Sequence, residues 1–157
     1  MRRVAGELPF EHVVVDVHAE RGETNVLVVA NQTVLGEPLL KTIRERAAKG
    51  PASFLILSPQ GESEGGYEEA EKRLLRAVTL LRSEGLEVHG QISHPDPYTA
   101  VMQTIEDERV DEIIVSTFPN ARSGWMRKNL VERLDTDTKL PVEHVQSDVP
   151  AEVEAHA

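Results

Sequence analysis

The stretch Val110–Leu134, VDEIIVSTFPNARSGWMRKNLVERL, decides how the whole chain reads. An apolar run, Ile113, Ile114 and Val115, stops at Ser116 and Thr117. Pro119, Asn120, Ser123 and Gly124 make a turn, and a helix opens at Trp125 and Met126, with Met126, Leu130 and Leu134 repeating every four residues. A strand that passes through a polar loop into a helix collects backbone N–H groups and the positive end of a helix dipole at one point, and anions bind there. Arg122, Arg127, Lys128 and Arg133 lie in or just after this loop, with Glu132 the only acid between Thr117 and Arg133. Such an island either faces an anion or is a solvated helix face.

Working upstream, the same alternation recurs. Val26–Ala30 (VLVVA) is continuously apolar, as a strand buried on both faces is. Asn31–Glu37 is a polar loop, Pro38 suits a first helical position, and Leu39, Leu40, Ile43 and Ala47 follow at helical spacing up to Gly50 and Pro51. Phe54–Leu57 is a second short strand, and Ser58–Gly66 a solvated loop. Tyr67, Ala70, Leu74, Ala77, Val78 and Leu81 form a helical stripe stopped by Gly85. Leu86–Ile92 alternates as a strand; Asp96 caps the next helix, Pro97 starts it, and Val101, Met102 and Ile105 are its buried face. Downstream of the opening stretch, 135–139 reads as a turn, Leu140–Val145 as a last strand, and 149–157 as a flexible tail. Strands alternating with helices at this spacing imply one α/β domain, residues 1–148, built on an open five-stranded parallel sheet with helices on both faces. One strand is left over: His12–His18 alternates, and is expected to cover a sheet edge or pair with another subunit.

Bulk composition narrows the function. The chain has 157 residues, 39% hydrophobic and 28% charged, which suits a soluble globular domain. No cysteine is present, which excludes disulfides, thiolate metal sites and thiol nucleophiles, and fits a cytoplasmic location. A net charge of −10 argues against general nucleic-acid binding, because phosphate neutralisation supplies most of that affinity. No apolar run approaches the length of a membrane span. No G-x-S-x-G elbow and no G-x-x-x-x-G-K-[ST] loop occurs, so no catalytic set is expected. His12 and Asp16 share a strand face but stand roughly 13 Å apart along it, too far for one metal ion. Trp125, the single tryptophan, either stacks on a ligand or seals the loop or an interface.

In an open α/β sheet a ligand sits beyond the carboxyl ends of the strands, where the strand order reverses. The loops after Ala30, Leu57, Ile92 and Val115 line that crevice and bring Asn31, Ser58 and Thr117 towards one another.

From Val26 to Val145 the chain resembles the universal stress protein family. Val28-Val29-Ala30-Asn31 stands where that family has V-A-x-D; Gly90–Pro97 (GQISHPDP) matches its G-x-x-D-P segment with a longer link; Asp111–Ser116 (DEIIVS) follows D-x-I-V-x-G up to the glycine; and Pro141–Val145 (PVEHV) matches P-V-x-x-V. The resemblance implies strand order 3-2-1-4-5, a homodimer through the last strand (Pro141, Val142, His144 and Val145 here), and, in one branch, ATP at the switch point. That branch carries G-x-x-G, nine residues, then G-S or G-T. Here Thr117 and Asn120 occupy the first pair, the later pair falls near Lys128 and Asn129, and Asn31 replaces the aspartate. Threonine cannot readily take the left-handed backbone that glycine allows, and Pro119 removes a donor. Arg122 and Ser123 add donors in return.

The candidate nucleotide- or anion-binding set is Ala30, Asn31, Leu57, Thr117, Asn120, Arg122, Ser123, Gly124, Lys128 and Asn129, with Leu57 at the family's apolar contact to the base. Two functions remain open at this level. One is a non-enzymatic, homodimeric stress-response or regulatory interaction protein with weak or lost ATP binding. The other is a nucleotide- or anion-binding regulator that retains AMP or ATP. An enzyme acting on a phosphorylated small molecule is the least supported reading.

Overall fold

The computed structural model of the chain describes residues 23–60, 66–118 and 129–147. The strand expected at His12–His18 and the tail expected at 149–157 lie outside them. Among the described residues nine elements alternate: β1 Thr24–Val29, α1 Glu37–Ala48, β2 Ala52–Pro59, α2 Tyr67–Ser83, β3 Glu87–Ser93, α3 Pro97–Asp107, β4 Glu112–Thr117, α4 Leu130–Thr138 and β5 Val142–Gln146. The five strands are parallel and stand in the order β3-β2-β1-β4-β5, as the resemblance implies.

The apolar runs form the central strands because those strands bury both faces. Val26, Val28, Phe54, Ile56 and Ile114 point to one side, into a cluster with Leu39 and Ile43 of α1 and Leu74, Ala77, Val78 and Leu81 of α2. Leu27, Val29, Leu57, Ile113 and Val115 point to the other, into a cluster with Ala100 and Val101 of α3 and Leu130 and Leu134 of α4. The strand period of two thus sorts each apolar run between two cores.

Helix ends follow local chemistry. Asp96 caps α3, its carboxylate accepting from the Thr99 N–H at 3.0 Å and the Thr99 hydroxyl at 2.7 Å. Pro38 lies in the first turn of α1. Away from the helix ends, Arg46 of α1 grips Glu112 at the start of β4 through Nε and Nη2 at 2.8 and 3.1 Å, tying the amino end of the sheet to its helix layer. That contact holds the Arg46 guanidinium above its ordinary pKa.

Asn129 has left-handed backbone, φ 57° and ψ 39°, and α4 begins after it at Leu130; the helix start expected at Trp125 and Met126 lies outside the described residues. One expectation needs correction. Residues 135–138, expected as a turn, are the last turn of α4 instead. Their composition suits a turn, but tertiary contacts hold the helix. Tyr98 of α3 donates to Asp137, and the Arg133 guanidinium lies 4.0 Å from the centroid of the Tyr98 ring. The Thr138 hydroxyl donates back to Leu134 O at 2.7 Å.

Gly90 shows how closely α2 lies on the sheet. A Cβ there would meet Leu74 Cγ and Val78 Cγ2 at 2.9 Å, below ordinary van der Waals contact. Gly90→Ala is expected to cost about 1–3 kcal/mol in urea-induced unfolding, as an overpacked core site does. A change within experimental error would mean that α2 shifts freely over β3.

Candidate functional site

The carboxyl ends of β1, β2 and β4 meet the turn at residues 31–36, and here the polar residues converge. Just before that turn the Ala30 N–H donates to Leu57 O at 3.0 Å, and both side chains are fully buried, Leu57 among Leu27, Val29 and Val115. Neither side chain offers surface to a ligand in this arrangement.

Asn31 is the hub. Its side-chain amide donates to Pro59 O at 2.6 Å and to Gln60 Oε1 at 3.0 Å. Its Oδ1 accepts from the Ser58 hydroxyl at 3.2 Å and from Arg73 Nη2 at 3.1 Å. A carboxamide carries two N–H donors and two acceptor lone pairs, so this side chain has used its full capacity within the protein. An aspartate here could not donate to Pro59 O, which is one physical reason for the amide.

Further along the turn, Thr33 and Ser116, 3% and 1% exposed, share a hydroxyl–hydroxyl hydrogen bond of 2.7 Å. It joins the turn after β1 to the end of β4 across the point where the strand order reverses. Thr117 turns to the opposite sheet face: its hydroxyl bonds His144 Nε2 at 2.7 Å, and its carbonyl accepts from the Ser147 N–H at 2.9 Å. Asn31 and Ser58 therefore meet as the sheet topology requires, while Thr117 bonds β5 rather than joining them. Arg133, counted in the basic island, packs on Tyr98.

Asn129 is exposed at the start of α4. Asn120, Arg122, Ser123, Gly124 and Lys128 lie outside the described residues, as does Trp125. Among the described residues no group of three or more His, Asp or Glu is placed to hold a metal ion. No helix among them is long and apolar enough to cross a membrane.

Of the interface residues implied by the resemblance, Val145 is buried in the core shared with α1 and α2, and Val142 packs against the core shared with α3 and α4. His144 is half-buried and Pro141 exposed. β5 is a terminal strand of the described sheet, so its outer backbone edge is what it can offer a partner.

Arg73 is the residue that sequence reasoning passed over. It lies on α2, and its guanidinium reaches across to Asn31. Burial pushes its pKa below the ordinary arginine value, opposed by the charge of Glu69 one turn earlier. A signal was present in the helical wheel. Residue 73 follows Ala70 by three and precedes Ala77 by four, so it borders the buried stripe.

Among solved structures, a universal stress protein from Archaeoglobus fulgidus superposes with a TM-score of 0.53 and 16% identity, covering 82% of this chain and 99% of its own. A universal stress protein family protein from Arabidopsis thaliana, solved with AMP bound, superposes with a TM-score of 0.51 and 15% identity over 80% of this chain and 92% of its own. No family model and no curated protein sequence matches the chain. Over about four-fifths of its length the chain has the fold of the universal stress proteins, as its strand-end motifs imply.

Proposed function

We propose that the chain is a non-enzymatic, cytoplasmic regulatory or stress-response domain that acts through protein contacts as a homodimer, with ATP binding weak or lost. The observation that carries this reading is the saturated Asn31 side chain. The residue that stands in place of the family's aspartate has no lone pair left for a ribose hydroxyl. The Thr33–Ser116 bond, tying the turn after β1 to β4, supports it. The terminal position of β5 supports pairing of two copies through that strand. The lack of a nucleophile elbow, a phosphate loop of the GK[ST] type and any cysteine supports the non-enzymatic part.

A second reading keeps AMP or ATP at the same crevice, and the AMP in the Arabidopsis structure of this fold favours it. Thermal unfolding separates the two. A ligand at a hundred times its Kd adds about 2.7 kcal/mol to stability. In the first reading, ATP and AMP raise the midpoint no further than inorganic phosphate at equal concentration and ionic strength, because the adenosine moiety has no site. A larger rise with either nucleotide would overturn it in favour of the second. The dimer is read from light scattering at micromolar concentration, where a monomeric mass would remove that part of the proposal.

A further inference from the structure

We infer that the crevice beyond β1 and β2 receives a small oxyanion, a carboxylate or phosphate group seated on the Nε–Nη2 edge of Arg73 with the Ser58 hydroxyl as a third donor. This goes beyond the function proposed above and does not depend on dimerisation.

The argument starts from how this protein uses its other arginines. Arg44 meets Glu84 through Nε and Nη2, both at 2.9 Å. Arg46 meets Glu112 through the same two atoms, at 2.8 and 3.1 Å. These are the two parallel N–H bonds that a guanidinium edge makes to a planar anion. Arg73 presents the same edge, but to one neutral oxygen. Nη2 donates to Asn31 Oδ1 at 3.1 Å, while Nε is buried with no hydrogen-bond partner. Glu69 acts on Arg73 only through its charge; its side chain is exposed on the same helix.

The edge is therefore half used: Arg73 is half-buried, but its Nε is a buried atom, where an unmade bond to a charged donor is costly. Asn31 Oδ1 stands where one oxygen of an anion would sit, and the Ser58 hydroxyl already points at it from 3.2 Å. A carboxylate or phosphate offers a second oxygen for Nε, and charge-assisted bonds are roughly twice as strong as neutral ones. The ligand enters by displacing the Asn31 amide, an exchange of a neutral acceptor for a charged one. This site lies on the α2 side of the sheet and uses no residue of the loop after β4.

The test uses the intact chain in thermal unfolding at constant ionic strength, with inorganic phosphate and separately succinate, against sodium chloride. The wild type is expected to show a dose-dependent rise in midpoint over chloride with at least one of them, and which one identifies the group. Arg73→Gln should lose that rise. Asn31→Asp should lose it too, because its own carboxylate fills the Arg73 edge. If Arg73→Gln does not fold, Asn31→Asp carries the test alone. No rise in the wild type, or a rise retained in either variant, overturns the proposal. A rise with ATP above that with phosphate would sink the function proposed above without touching this one.

Discussion

Phe54→Ala should lower the unfolding free energy by about 3–5 kcal/mol, the range for truncating a buried phenylalanine. Phe54 is 1% exposed and is the largest fully buried side chain among the described residues. In register it stands between Val26 on β1 and Val88 on β3, both in the same core. Among the described residues its core cluster holds no second aromatic ring to fill the space. The cavity would open beneath α2, which rests on these strands through Leu74, Ala77 and Val78. Total stability for a domain is about 5–15 kcal/mol, so this one change removes a large share of it. Urea unfolding at fixed temperature measures it, and a parallel melt should fall by about 6–20 °C for a chain of this size. A loss below about 1 kcal/mol, typical of surface positions, would mean that the strand centres are not the packed core described.

The same strands explain how much of the architecture could be read beforehand. A strand buried on both faces must be apolar at nearly every position, and Val26–Ala30, Phe54–Leu57 and Ile113–Val115 are. Helices resting on such a sheet need one apolar stripe, and Tyr67–Leu81 carries it at the right spacing. These are local requirements, so local sequence reports them. The carboxyl end of α4 differs from its local sequence because a long-range contact decides it. Asn129 has left-handed backbone and α4 starts at Leu130 after it, at a residue whose identity alone does not mark a helix start. Thr136, Asp137 and Thr138 have turn chemistry, yet Asp137 is the acceptor for Tyr98 from α3, 39 residues away.

The candidate site divides along the same line. That Asn31 and Ser58 come together follows from topology alone, since both sit at carboxyl ends of adjacent parallel strands. What Asn31 does there was hidden. Its partner Arg73 lies 42 residues on, in a helix whose charged positions look solvated. Thr33 and Ser116 are 83 residues apart, and a threonine in a turn gives no sign that it will be buried against a serine. The resemblance drew attention to the loop after β4, where glycines are replaced. Residues 119–128 of that loop lie outside the described residues, while the Asn31 side chain, at the ends of β1 and β2, makes hydrogen bonds to Pro59, Gln60, Ser58 and Arg73.

That shift makes Asn31 the position with most to reveal. Asn31→Ala is expected to cost about 2–3 kcal/mol, because unsatisfied buried groups cost about 1–3 kcal/mol and charged ones more. Removing the carboxamide strips Pro59 O and Gln60 Oε1 of a donor and takes the acceptor from Ser58 and Arg73. Ser58 is fully buried and Arg73 already has an unpartnered Nε, so neither recovers its bond without rearrangement. A double-mutant cycle with Arg73→Gln isolates the charged part; residues sharing a hydrogen bond couple by about 0.5–3 kcal/mol. The sign of the whole effect separates two roles. A residue held in place for a ligand is dispensable to the empty protein, and its loss changes binding but leaves stability within about 0.5 kcal/mol, as at an ordinary surface position. A residue that ties the turn after β1 to β2 and α2 is felt by the empty protein first. If Asn31→Ala unfolds at the wild-type urea concentration, the side chain is no tether. The observation behind the weakened nucleotide site then fails with it, and the crevice is open to a ribose after all.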